Sequence, residues 1–361
     1  VDHLVALAER LIAYDTCQPE AIRKAAGFVK GWLEAREIEA GEETARERPV
    51  LMAEVGPADA PTVVLHGHLD VVPGLPGQFE PRIEGDRLIG RGSYDMKGAL
   101  AAMLMVTAQL RDQDRIRVRL GIVADEESEE EQDRGSDRLV DLGFTGDFAI
   151  TGEPTDLHIG VEAKGVLAVR LEVGGRAAHG ATPWLGDNAV LKALDVFRSI
   201  ESLPFARESS ELFDRPSINL GRIWGGDALN KVPDKCVIDV DIRYLPEQDP
   251  RMVLEQVEEL RDAVVINTFT RPPAIVDRDS IFVHTLREAT AEYHDHEPTS
   301  VGRDGASDAV SFLRVGVPAV EFGPVGGGHH GPEEWVSIAS LSSYSRALEA
   351  FLMALPDRME G

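Results

Sequence analysis

The chain has 361 residues, with 37 Lys and Arg against 63 Asp and Glu, so its formal net charge is −26. That length exceeds a single hydrophobic core of ordinary size and predicts two domains or one elaborated one. An apolar fraction of 43% excludes a chain disordered by its own charge. The acidity excludes nucleic acid and anionic membrane surfaces as partners, because both demand a basic footprint.

No stretch approaches the ~20 apolar residues of a membrane span. The opening Val1-Asp2-His3 has neither the charged head nor the apolar core of a secretion signal. Cys17 and Cys236 lie far apart and suggest no disulfide framework, so a reducing cytoplasm is the expected compartment.

Helical periodicity opens the chain at about 2–14 and 19–36. Short apolar runs ending in polar clusters follow. Thr62 to Leu65 runs into His66-Gly67-His68-Leu69-Asp70, and Arg117 to Val123 into Asp125-Glu126-Glu127. Phe148 to Ile150 leads to Gly152-Glu153-Pro154, and Pro318 to Phe322 precedes Gly326-Gly327-Gly328-His329-His330. Between the first two runs, Gly98 to Leu110 is small and apolar enough for a buried helix. Buried strands alternating with helices predict an α/β fold with a helix-covered, mixed but mainly parallel sheet. Ligands of such sheets bind at the carboxyl ends of strands, where each cluster falls.

The middle of the chain reads differently. Strands are expected at Val166 to Val173, Ser217 to Trp224, Cys236 to Arg243 and Val264 to Thr270. Helices are expected at Asp187 to Leu203 and Asp249 to Ala263. That βαββαβ order predicts an inserted α+β, ferredoxin-like domain at 166–277, inside a catalytic domain made of 1–165 and 278–361.

The polar clusters suit a metal centre. His68 and Asp70 are two residues apart, on one face of a continuing strand, and a carboxylate commonly fixes the second nitrogen of a ligating imidazole. The loop Gly90 to Gly98 presents Asp95 just before a helix and matches neither common phosphate motif. Glu126 and Glu127 follow a strand directly, so one can ligate while the other faces a reacting water. Seven acids occupy the nine positions from Asp125 to Asp133. Among these, Glu129, Glu130, Glu131 and Asp133 read as a solvated helix start. Glu153 and His330 add a further carboxylate and imidazole. Two His and several carboxylates at successive strand ends predict a two-metal site. Asp95, Glu127 and Glu153 would leave two divalent ions a net positive charge that favours hydroxide near neutral pH. Ligands without thiolate point to zinc, with cobalt or manganese as substitutes.

On these motifs the sequence resembles the M20 metallopeptidase/deacylase family, collinearly from about residue 10 onward. That family includes acetylornithine deacetylases, succinyl-diaminopimelate desuccinylases, aminoacylases and glutamate carboxypeptidases. Gly67-His68-Leu69-Asp70-Val71-Val72-Pro73 and the Gly90–Gly98 loop match its two most specific motifs. The resemblance implies that Asp95 bridges two ions, with His68 and Glu153 on one and Glu127 and His330 on the other. It makes Asp70 the residue orienting His68, and Glu126 the general base. Of the adjacent histidines, His330 fits the family spacing better than His329. Gly175-Arg176-Ala177-Ala178-His179 resembles the segment whose histidine reaches a partner subunit's site, which implies a homodimer. Asn230 and Arg243 fall in segments resembling substrate-binding ones, and an arginine fork suits a carboxylate. Gly305-Ala306-Ser307-Asp308 resembles a substrate-proximal loop of the desuccinylase branch.

The implied activity is hydrolysis of the amide bond of an N-acyl amino acid, deacetylase- or desuccinylase-like. A dipeptidase or carboxypeptidase is the rival of the same chemistry. A metal-binding interaction protein without catalysis is the rival of another class, and Glu126, His179 and Arg243 argue against it. The Pro73–Phe79 loop is short and lacks a Trp usual there. Leu69 stands for a frequent Thr, and Gly180 and Ala181 stand for frequent serines. These departures bear on acyl specificity.

Overall fold

The computed structural model describes residues 1–128, 134–294 and 297–360. Glu129, Glu130, Glu131 and Asp133, expected above as a solvated helix start, lie outside the described residues. The chain divides into two compact units. The first comprises Val1–Val161, Val276–Val301 and Asp308–Gly361; the second comprises Glu162–Ile275 and Gly302–Ser307.

The first unit is built on a mixed sheet. Its centre is parallel: Arg117–Val123, Thr62–His68, Phe148–Thr151 and Ala319–Glu321 lie side by side in that order. Antiparallel pairs flank the centre, with the hairpin Ala40–Ala45 and Arg48–Val55 beyond Arg117–Val123 and Ile159–Ala163 beyond Ala319–Glu321. Every residue from Val63 to His68 is buried, which requires helices over both faces, since successive side chains point to opposite sides. Val63, Val64 and Leu65 are fully buried and contribute roughly 1.5–3 kcal/mol each. That gain lets the same strand carry His66 and His68 into the interior.

The helix Gly98–Gln109 is buried on nearly every side, as its small apolar composition requires. Asp2–Ile12 instead buries Leu4, Val5, Leu7, Ala8, Leu11 and Ile12, one stripe at helical spacing. Pro19 starts the helix Pro19–Glu34, where its missing N–H is no loss. Ser337 caps Ile338–Met359 by accepting the Ser340 N–H at 3.0 Å. A second small sheet joins Gly326–Gly327, Trp335–Ser337, Arg87–Ile89 and Arg82–Glu84 in that order, all antiparallel. It brings the segment around His330 beside the glycine-rich loop.

The second unit carries a four-stranded antiparallel sheet in the order Ser217–Gly225, Lys235–Tyr244, Gly165–Gly174, Ala263–Arg271. Ala189–Ile200 and Pro250–Glu258 pack on it around Leu171, Val173, Ala193, Ile238 and Val257. Asn188 caps the first helix through its Oδ1, and Asp249 caps the second. Five of the six elements expected here fall within three residues of their predicted spans; the second helix, expected to Ala263, ends at Glu258, and Ala263 begins the next strand. The βαββαβ order follows from the sequence, and the pairing sets the last strand beside the first.

Candidate metal centre

The strand Thr62–His68 ends at His68, so Asp70 sits just beyond it. His68 Nδ1 lies 2.9 Å from the Asp70 main-chain oxygen and 3.5 Å from its Oδ1. With Nδ1 held there, Nε2 faces the other way, 3.1 Å from Asp95 Oδ1 and 3.7 Å from Glu153 Oε1. Asp70 also holds backbone, because its carboxylate accepts the main-chain N–H groups of Glu126 and Glu127, at 3.3 and 2.9 Å. The sequence predicts Glu126 and Glu127 directly on a strand end. The strand stops at Val123, and the pair lies in a turn pinned by Asp70 instead.

Asp95 belongs to a tight loop between Gly92 and Gly98, and the Asp95–Met96 peptide bond is cis. Glu334 organises this loop. Its Oε2 accepts from Arg91 Nη1 (2.6 Å) and Gly92 N (3.0 Å), and its Oε1 from Tyr94 N (3.0 Å) and Asp95 N (3.1 Å). Nearby, the buried Lys97 ammonium donates to Tyr14 O at 2.8 Å. Burial pulls Lys97 down to about 7, against the attraction of Glu334, Asp15 and Asp70. Sequence reasoning assigned no role to Glu334, Arg91 or Lys97.

His330 Nε2 lies 3.4 Å from Asp95 Oδ2 and 3.1 Å from Glu127 Oε1. His329 Nε2 lies closer to the same Asp95 oxygen, at 2.5 Å. Two sets of donors thus gather within 4.8 Å: His68 with Asp95 and Glu153, and Asp95 with His329 and His330. The structure brings together His68, Asp70, Asp95, Glu126, Glu127, Glu153 and His330, and adds His329.

Burial opposes ionisation of Asp95, but hydrogen bonds from His329, His330 and His68 outweigh it and hold the carboxyl well below its usual range. Burial and the facing Asp95 push Glu153 well above its own. Burial, then repulsion by Asp308, lifts Glu126 to about 8, near the range where one group both takes and returns a proton. Hydrogen bonds with Asp95 and Glu127 raise His330 to about 10, against burial. The donor set fits divalent cations. Glu153 Oε1 is buried and has no hydrogen-bond partner among the described residues, and it faces an imidazole nitrogen and a second carboxylate. A shared cation would satisfy all three.

Asp308 is buried. Its Oδ2 accepts from Ser136 Oγ at 2.5 Å, and its Oδ1 lies 3.7 Å from Arg134 Nε. Arg134 in turn donates to the Glu126 main-chain oxygen at 2.6 Å. Asp308 therefore supports the Glu126 turn through Arg134.

In the second unit, His179 is exposed and its Nδ1 accepts the Ala181 N–H at 3.0 Å. His179 bridges to Lys231, and Gly180 N donates to Asn230 O at 2.7 Å, so His179 and Asn230 share one loop pair. This pair extends the end of the sheet where Lys235 faces Gly174. Arg243 sits at the other end, opposite Val166, and its Nε donates to Asp241 Oδ2 at 3.0 Å. The strand between the two ends is about 25 Å long.

Among known proteins, the chain is 29% identical to the succinyl-diaminopimelate desuccinylase of Erythrobacter litoralis (strain HTCC2594), over 94% of this chain and 95% of that one. It is 27% identical to a probable succinyl-diaminopimelate desuccinylase of Staphylococcus aureus (strain MRSA252), over 77% of this chain and 78% of the relative. Its fold superposes on an M20 family metallo-carboxypeptidase from Sulfolobus solfataricus with a TM-score of 0.82, at 21% identity, covering 99% and 100% of the two chains. Human carnosine dipeptidase 1 gives 0.72 at 16% identity, covering 99% and 96%. The family model described as peptidase family M20/M25/M40 matches residues 64–354, a span that contains each of the converging donors. The chain belongs to that family, and it is a metal-dependent hydrolase acting on amide bonds.

Proposed function

We propose that this hydrolase cleaves the amide bond of an N-acyl amino acid, with a short dicarboxylic acyl group such as succinyl favoured over acetyl. The observation that carries the reading is the double use of Asp70. One carboxylate lies against the imidazole of His68 and holds the backbone of Glu126, so a ligand and a proton acceptor are built on one support. The two sequence relatives described above, unlike the two solved structures, are desuccinylases by name, which favours the succinyl group.

His68, Asp95 and Glu153 would hold one ion, and Asp95, Glu127 and His330 a second; zinc suits these ligands, with cobalt or manganese as substitutes. When bound, two such ions supply Lewis acidity and make water acidic near neutral pH. Glu126 takes the proton of the attacking water and returns it to the leaving amine. Arg243 anchors the substrate carboxylate through its guanidinium, and Asp241 holds that group through Nε. His179 donates to the scissile carbonyl oxygen, with Asn230 beside it.

His179 and Asn230 occupy the opposite end of the sheet from Arg243. One substrate touching both sets therefore needs two copies of the chain, and we assign a homodimer. The second unit is the ferredoxin-like dimerisation and lid domain. Its edge strand Ser217–Gly225 is unpaired on one side among the described residues and exposes Ile223 and Trp224, while Leu191 is exposed on the helix Ala189–Ile200. A cytoplasmic location fits the two free cysteines. Among the described residues, no helix is long and apolar enough to cross a membrane.

A panel of succinyl-, acetyl- and formyl-amino acids with dipeptides, assayed with and without chelator, tests the reading. Succinyl-amino acids should be turned over fastest, and chelation should abolish turnover. Dipeptides as the preferred substrates would replace it with the peptidase reading. Glu126→Gln should lower kcat by about 10²–10⁴-fold while metal content stays at the wild-type level. A metal-replete Glu126→Gln protein with normal kcat would remove Glu126 from its role.

A further inference from the structure

The adjacent histidines His329 and His330 are the central residues of a turn running from Gly328 to Gly331, closed by the Gly331 N–H donating to Gly328 O at 2.6 Å. In an extended chain, neighbouring side chains point to opposite faces. Here the turn lets both rings approach one carboxylate oxygen: Nε2 of His329 lies 2.5 Å, and Nε2 of His330 3.4 Å, from Asp95 Oδ2. The turn demands a positive φ at its third position, where Gly or Asn is usual, and His330 sits there at φ +57°. A histidine held at such a position points to a functional constraint.

Besides Asp95, His329 has an aromatic contact. Its ring meets the edge of Tyr94 at 6.1 Å and 85°. The Tyr94 hydroxyl donates to Asp156 Oδ1 at 2.8 Å, and the same oxygen accepts Gly326 N–H at 3.2 Å. The aromatic wall behind His329 is thus tied to the strand that enters the turn.

We propose, resting on the two-ion reading above, that His329 is a protein ligand of the ion held by Asp95 and His330, so that the two metal positions are unequal. Asp95 Oδ2, His329 and His330 form one gathered set; Glu127 Oε1 lies outside that set, 3.1 Å from His330 Nε2, and would be the fourth ligand. Zinc bound by four protein ligands is closed, whereas three ligands leave a position for substrate. The three donors of the other set, His68, Asp95 Oδ1 and Glu153, therefore form the open position. The four-donor position binds its ion more tightly.

The test is metal binding, independent of turnover. Metal-free wild type, His329→Ala and Glu153→Gln proteins are titrated with Co²⁺ by visible absorption, and with Zn²⁺ in competition with a chromogenic chelator. The thermal midpoints of the metal-free proteins serve as the check on folding. Wild type should take two equivalents with separated affinities, the tighter one giving the intense band of four-coordinate Co²⁺. His329→Ala should weaken the tighter affinity by about tenfold or more, since even outer partners of ligands are worth that much, and should diminish the band. Glu153→Gln should weaken only the other equivalent. A His329→Ala protein with both affinities and the spectrum unchanged would overturn the role of His329. Wild type that takes up fewer than two ions would overturn the two-ion reading itself, before any variant is compared.

Discussion

Glu334 contributes none of the proposed donor atoms, yet four donors converge on its carboxylate, and they include the main-chain N–H of Asp95. It is 1% exposed, and Arg91, its partner at 2.6 Å, is buried as well. Removing one member of such a pair leaves an uncompensated buried charge. Glu334→Ala should therefore cost about 3–5 kcal/mol of stability in the metal-free protein, measured by urea unfolding. A cost below about 1 kcal/mol would show that water replaces the carboxylate. Sequence reasoning found the residues that bear donors but not this one. His68, Asp95, Glu126, Glu127, Glu153 and His330 stand at ends of apolar runs or in a glycine-rich loop, where a polar residue needs explaining. Glu334 sits between Glu333 and Trp335 with nothing local to single it out, and its partners are mostly N–H groups some 240 residues earlier, which leave no mark in the sequence. Linear spacing favours His330 over His329. Linear spacing cannot reveal a turn that brings both inward.

At the scale of elements, legibility followed burial. The central strands Thr62–His68 and Phe148–Thr151 carry unbroken apolar runs, and Arg117–Val123 ends in one from Leu120, because helices cover both faces, and a run of that kind stands out. The edge strand Ala40–Ala45, with the sequence Ala-Gly-Glu-Glu-Thr-Ala, is largely exposed and has no apolar period to read. The strands Gly326–Gly327, Trp335–Ser337 and Arg82–Glu84 are two or three residues long, too short for any pattern. The loop before helix Gly98–Gln109 carries a prediction of its own. A Cβ at Gly98 would collide with the Ser93 carbonyl oxygen, which is backbone and cannot yield. Gly98→Ala should cost about 1–3 kcal/mol and displace Asp95. It should therefore lower affinity at both metal positions together, unlike any change to His329 or Glu153. Calorimetric metal titration of the variant checks it: loss at one position only would dissociate the loop from the bridging role of Asp95.

For the whole molecule, the proposed homodimer makes the relation between copies of the chain decisive. Trp224 and Ile223 on the open edge strand are the exposed apolar residues best placed to seat a second copy. A central interface tryptophan is commonly worth about 2 kcal/mol or more. Trp224→Glu should then raise the dimer dissociation constant about 30-fold or more, read by light scattering across a dilution series. Turnover should fall with the dimer fraction while bound metal does not. Unaltered dimerisation would move the interface elsewhere.

The single strand Lys235–Tyr244, with Asn230 and His179 beyond one end and Arg243 at the other, has a consequence for mixtures of chains. If its two ends serve two different substrates, no chain completes its own site, and defects become complementable. A Glu126→Gln chain lacks its base but can lend His179; a His179→Ala chain has the reverse. Each is inactive alone. When they are mixed and allowed to exchange, half the dimers are hybrids with one whole site, so activity should return to about a quarter of wild type.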